Sequence, residues 1–204
     1  LHHHGAFRFA VYPCFGGRAP ELDDQQLLRQ LGRFVARIHR CGQQADFRYR
    51  PRLDVESFGV ASRDYLLAAD FIPADIRPAY ESVCDAALER IGYCYERAGR
   101  PRELRLHGDF HPGNVLVLDG VARIVDFDDT CSERDVQDLW MFLSGDRHEQ
   151  TPQLAELLAG YTEFRDFDAA ELNLIEALRT LRIMHYAAWL ARRWDDPAFA
   201  IAFP

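Results

Sequence analysis

Lysine is missing. All 24 basic residues of this 204-residue chain are arginine, so no chemistry that needs a lysine amine can be completed by these residues alone. No apolar run approaches the roughly 20 residues that span a bilayer. No charged-then-apolar leader precedes a small-residue cleavage site, and a soluble, cytoplasmic protein without membrane contacts is expected. Cys14, Cys41, Cys84, Cys94 and Cys131 are odd in number and lack a CxxC step, which argues against a disulfide framework or a zinc knuckle and predicts reduced, mostly buried thiols. Internal repeats and low-complexity tracts are absent. Positive charge is in deficit, with a net charge of -8, which argues against a general nucleic-acid binder. What remains, 48% hydrophobic and 27% charged residues, suffices for one domain or one large lobe.

Apolar residues recur mainly at helical spacing. Leu27, Leu28, Leu31, Phe34, Val35 and Ile38 follow an acidic start at Asp23-Asp24 and precede Gly42, which predicts an amphipathic helix with His39 as a structural or capping residue. Ile76, Tyr80, Val83, Cys84, Ala87, Leu88, Ile91 and Tyr95 predict a second helix, ended by Gly99 and followed by Pro101. Residues 43–69 read as a long connection with a short helical piece near Arg63 to Leu67. Val136 to Leu143 and Leu154 to Tyr161 predict two more helices, and Asp168-Ala169-Ala170-Glu171 has the form of a capping box opening a long last one. Phe7 to Tyr12 reads as a strand stopped by Pro13, Gly16-Gly17 as a turn, and His2-His3-His4 equally as a tag remnant or a loop, with no function assigned.

The chemistry concentrates in residues 106–129, LHGDFHPGNVLVLDGVARIVDFDD. Leu104 to Leu106 predicts a short strand leading in. Two β-branched runs, Val115 to Leu118 and Val121 to Val125, flank Asp119-Gly120, a strong hairpin signal. A hairpin returns the chain to its start, so the polar knots His107–Asn114 and Asp126–Asp129 fall at one open end. Asp109, Asn114 and Asp126 then come within reach of a common ligand, and three oxygen donors suit a hard cation such as Mg2+ with the phosphate it carries.

HGDFHPGN followed by DFD resembles the catalytic and metal loops of the eukaryotic-like kinase superfamily, in its aminoglycoside phosphotransferase and choline kinase branch. Within that branch, Gly16 to Arg18, Arg37 to His39, His107 to Asn114, Val125 to Asp129 and Val136 to Met141 look most like the bacterial stress response kinases, a Ser/Thr protein kinase family. The resemblance implies a mainly α, kinase-like C-terminal lobe over 1–204, with a small central β-hairpin bearing the loops and residues 7–13 as the strand at the interlobe hinge. It implies Asp109 as catalytic base, Asn114 and Asp126 as Mg2+ ligands with Asp128 as a further candidate, and His107, His111 and Asp138 as braces. The backbone of Val11 and Tyr12 would face the adenine of ATP. The acceptor is expected to be a protein Ser/Thr hydroxyl, with a small alcohol such as choline, homoserine or an aminoglycoside as the alternative.

A kinase also needs an N-terminal lobe with a phosphate-covering loop and a Lys-Glu pair. Neither is present, so either a lobe lies outside these residues or the protein is an incomplete pseudoenzyme; the abrupt start at Leu1 favours the first, and the fragment alone should have little or no activity. Three rival readings use the same residues. His107, Asp109 and His111 on one strand face would suit zinc. Asp126-Phe127-Asp128-Asp129-Thr130 matches the DxDxT nucleophile of haloacid dehalogenase-like phosphatases, which carry a later Lys and a doubly wound sheet. A helical binding scaffold would make both knots mere turns.

Overall fold

A computed structural model describes residues 1–99 and 102–197; Pro101 lies outside the described residues. The chain opens with β1 (His2–His4) and β2 (Phe7–Phe9), an antiparallel pair closed by Gly5 at φ +58°. The histidines therefore form a strand and not a loop, with His2 stacked on Phe9. The expected strand to Tyr12 stops at Phe9. Both strands are exposed throughout, and among the described residues no third strand extends the ribbon. Gly17 is more than turn punctuation, because a Cβ there would stand 2.8 Å from Leu116 Cβ. That close approach lets Arg18 pair with Val117 on the hairpin.

Helix α1 (Gln25–Gly42) starts at Asp24, whose carboxylate accepts from Leu27 N at 3.0 Å, a cap worth about 1 kcal/mol. Its face Leu27, Leu28, Leu31 and Val35 is buried. Residues 43–54 follow as the true connection. From Asp54 the chain turns helical, one π turn (Val55–Val60) running into α2 (Ala61–Ala68). The predicted connection is thus too long: Asp54 and Ser57 form a capping box, and Gly59 lies against Leu88 and Leu181 where a Cβ would not fit. That glycine serves packing and not chain breaking.

Helix α3 (Arg77–Ala98) ends at Gly99 as expected. Strand β3 (Leu104–Leu106) leads to the central hairpin of β4 (Val115–Leu118) and β5 (Val121–Ile124), with Asp119 and Gly120 both at positive φ. That is the twist a two-residue hairpin turn requires. Strand β6 (Cys131–Glu133) pairs antiparallel with β3. Three residues with one small apolar side chain give too little alternation to signal it.

Helix α4 (Gln137–Trp140) is a single turn, shorter than its periodicity suggests; α5 (Arg147–Tyr161) and α6 (Ile175–Arg192) are long. The capping box at Asp168 does not form. Asp168 accepts from Ala170 N in a 3-10 stretch, Ala169–Leu174, and Glu171 turns inward to accept from Val136 N. Helices α1 and α5 touch backbone to backbone, since a Cβ on Gly32 or Gly160 would lie 2.0 Å from the facing carbonyl. One core joins α1, the central hairpin, α4, α5 and α6. All five cysteines are free; Cys84 and Cys131 are buried, Cys94 is intermediate, and Cys14 and Cys41 are exposed, so burial is not the rule predicted for them. No helix among the described residues is long and apolar enough to cross a membrane.

Candidate active site

Strand β3 delivers His107 to the site, and the backbone that follows is held by one carboxylate. Asp138, on α4 and 1% exposed, accepts from His107 N (2.8 Å, Oδ2) and from Gly108 N (2.9 Å, Oδ1). His39 Nε2 lies 3.1 Å from the same Oδ2, and His39 Nδ1 lies 2.9 Å from the Tyr161 hydroxyl. A carboxylate this deeply buried is tolerable because charge-assisted bonds surround it. Gly108 takes φ +84°, and a Cβ would come within 2.4 Å of the Asp129 carbonyl. The neighbouring Gln137 donates to the Gly108 carbonyl at 2.7 Å. The peptides on both sides of Gly108 are thereby fixed.

His107 ties the two knots together. Its ring is buried against Phe110 and Phe127, and Nε2 stands 2.9 Å from the Val125 carbonyl. A carbonyl only accepts, so the proton sits on Nε2. His111 has the same tautomer by the opposite argument: its Nδ1 accepts from Gly113 N at 2.9 Å, which leaves Nε2–H facing Asp109 Oδ2 at 3.3 Å.

Asp109 and Asn114 are neighbours. Asn114 Nδ2 donates to the Asp109 carbonyl at 2.9 Å and lies 3.5 Å from Oδ2. That bond commits the amide nitrogen and leaves the amide oxygen, an acceptor, free to ligate a cation. Val125 N donates to the Asn114 carbonyl at 3.0 Å, which closes the hairpin's open end and sets Asp126 beside Asn114. Asp126 is exposed at φ +63°, a left-handed conformation that ends the strand sharply. Its Oδ1 lies 3.4 Å from Asp128 N. Asp128 is exposed too, and its carbonyl accepts from Arg50 Nη1 at 2.5 Å.

The hairpin therefore brings Asp109, Asn114, Asp126 and Asp128 to one end, with His107, His111 and Asp138 around them. Val11 and Tyr12 stand apart, 73% and 80% exposed, with no hydrogen bond or ion pair to these loops. Sequence reading missed Gln137 and Arg182. The latter, on α6, places Nη1 2.5 Å from Asp109 Oδ1, close enough for an ion pair but off the line of a hydrogen bond. Nothing local in sequence could have paired them.

An amide oxygen beside a carboxylate fits a hard cation that takes its other ligands from water and phosphate. A zinc site does not fit. His107 Nε2 is committed to Val125, and among the described residues no three His, Cys, Asp or Glu side chains are grouped to hold a metal. The phosphatase reading fails on the fold, whose sheets among the described residues are three antiparallel pairs with no doubly wound parallel sheet. A 340 Å³ cavity exists elsewhere, at the closed end of the hairpin beside Gly120, but its arginines are already paired: Arg18 with Glu21, Arg29 with Glu156 and Arg33 with Glu163.

Comparison with known proteins points the same way. Residues 1–175 match the model of the phosphotransferase enzyme family. Stress response kinase A of Escherichia coli (strain K12) is 40% identical over 204 residues, all of this chain and 61% of that protein. Serine/threonine protein kinase RdoA of Salmonella typhimurium (strain LT2) is 38% identical over 201 residues, 98% of this chain and 60% of that protein. Among solved structures, amicoumacin kinase hAmiN in complex with AMP-PNP, Ca2+ and Ami superimposes with a TM-score of 0.64 at 21% identity, covering 90% of this chain and 57% of that one. The fold is thus kinase-like, and the chain spans about three-fifths of the length of the curated relatives it matches.

Proposed function

Because the chain belongs to the phosphotransferase enzyme family, we propose that the full-length protein is an ATP-dependent Ser/Thr protein kinase of the cytoplasm, with residues 1–204 as its catalytic, C-terminal lobe. One observation carries this reading: Asp109 and Asn114 share a braced loop, and the hairpin sets Asp126 beside them. Asp109 would orient the acceptor hydroxyl and take its proton as the new O–P bond forms and the bond from the γ-phosphorus to the β-γ bridging oxygen breaks, releasing ADP. Asn114 and Asp126, with Asp128 as a further candidate, would hold Mg2+, which when bound supplies charge neutralisation on the phosphates. Most of the rate then comes from positioning, which the Asp138 brace serves.

In this reading the phosphate-clamping Lys-Glu pair comes from a lobe outside these residues, which hold no lysine, and residues 7–13, with the backbone of Val11 and Tyr12, lie on the adenine side of the hinge. Residues 1–204 alone should accordingly transfer little phosphate. The relatives' names favour a protein hydroxyl as acceptor; the kinase superimposed here, named for amicoumacin, keeps a small-molecule alcohol as the second reading. Mass spectrometry of the full-length protein with ATP and Mg2+ tests this. Phosphoserine or phosphothreonine on itself or on added protein, reduced by about 100-fold or more in Asp109→Asn, is the expected result. A phosphate bound covalently to Asp126 would contradict it.

A further inference from the structure

The two carboxylate oxygens of Asp109 have different surroundings. Oδ2 faces His111 Nε2 at 3.3 Å and Asn114 Nδ2 at 3.5 Å, both from its own loop. Oδ1 is buried without a hydrogen-bond partner and stands 2.5 Å from Arg182 Nη1. One turn further along α6, the His185 ring stacks on Phe58 with centroids 3.9 Å apart, and its Nδ1 is likewise buried without a partner. Burial and then the Arg192 charge push the His185 pKa down, so at neutral pH the ring is an uncharged donor or acceptor.

If Asp109 is the base, as in the function proposed above, Oδ1 is its oxygen not bonded to the loop, and because Arg182 covers it an acceptor hydroxyl reaches it only by displacing or sharing that guanidinium. Arg182 is then the first side chain an acceptor meets. We propose that Arg182 is the acceptor-selecting residue of this site, favouring a hydroxyl in a neutral or acidic setting and rejecting alcohols with a cationic centre close by. A guanidinium stays charged at every working pH, so it can pair with a carboxylate of the acceptor but only repel an ammonium. Asp126 and Asp128 are assigned to the cation in this reading. Asp129 and Arg182 act on His185 with opposite sign, the carboxylate raising its pKa and the guanidinium lowering it. Arg50, held on the Asp128 carbonyl, adds a second exposed guanidinium at the same end.

The test uses full-length protein with ATP and Mg2+ and four acceptors: a serine peptide with acidic flanks, the same peptide with basic flanks, choline, and its uncharged isostere 3,3-dimethylbutanol. Wild type should prefer the acidic peptide, and the uncharged alcohol over choline, by about tenfold or more in kcat/KM. Arg182→Gln should erase that preference chiefly through KM, Arg182→Glu should reverse it, and Arg182→Lys should retain most of it. Equal use of acidic and basic peptides by wild type would overturn the inference. So would a preference unchanged in Arg182→Gln and Arg182→Glu, or Asp109-dependent transfer to choline alone, and in these cases the kinase reading survives. Transfer undiminished by Asp109→Asn would instead remove the kinase reading, and no ATP-dependent transfer to any of the four counts against both.

Discussion

Asp138 illustrates how much of the site depends on a single residue that touches no substrate in the proposed mechanism. It accepts from two consecutive backbone N–H groups and faces His39, all of them buried. Asp138→Ala would strand those groups, and urea unfolding should register a loss of about 3–5 kcal/mol. Asp138→Asn keeps one accepting oxygen and should cost clearly less. The residues that chemistry needs were legible because only one hairpin, residues 115–125, separates HGDFHPGN from DFDD, and its Asp119-Gly120 turn brings them together. Asp138 was legible only through the resemblance. Arg182 was not legible at all, and Gln137 only as part of the Val136 to Met141 segment and without its role, because both reach the loops by helix packing, which leaves no local period in sequence.

Among elements, the short link between α4 and the start of α6 rests on Glu171. Its carboxylate, 2% exposed, accepts from Val136 N, and burial, then Asp135, raises its pKa to about 7 from an ordinary 4.5. Burial likewise raises Glu133 to about 8. A carboxyl whose pKa is raised by folding is protonated in the native state before the unfolded one, so its stabilisation is full below about pH 4.5 and is lost as pH rises through the native value. Stability should therefore fall between about pH 5 and 8. Glu171→Gln keeps an acceptor for Val136 and removes the titration, so thermal melts across that range should show a flatter decline. An unchanged slope would exclude Glu171 as a source. The same residue explains a misread element. Asp168 to Glu171 has the letters of a capping box, but Glu171 gains more from satisfying a buried N–H on another element than from its own helix start. Long periodic helices such as α1 and α3 were readable. One-turn α4 was readable in place but not in length, and three-residue β6 was not readable, since tertiary pairing and not pattern defines it.

On the scale of the whole molecule, the fold is a helical platform that presents one small ribbon. Helices α1 and α5 meet through Gly32 and Gly160, α4 braces the loop backbone, and α6 brings Arg182 to Asp109. The central claim is that Asp109, Asn114 and Asp126 act as one phosphotransfer site, and a double-mutant cycle on the full-length protein measures it most directly. Phosphate transfer from ATP would be followed for wild type, Asp109→Asn, Asp126→Asn and the double variant. Groups acting as a unit lose their effect together, so each single variant should fall by about 100-fold or more and the double should be little worse than the weaker single. Fully multiplicative losses, or an Asp109→Asn variant within tenfold of wild type, would contradict the account.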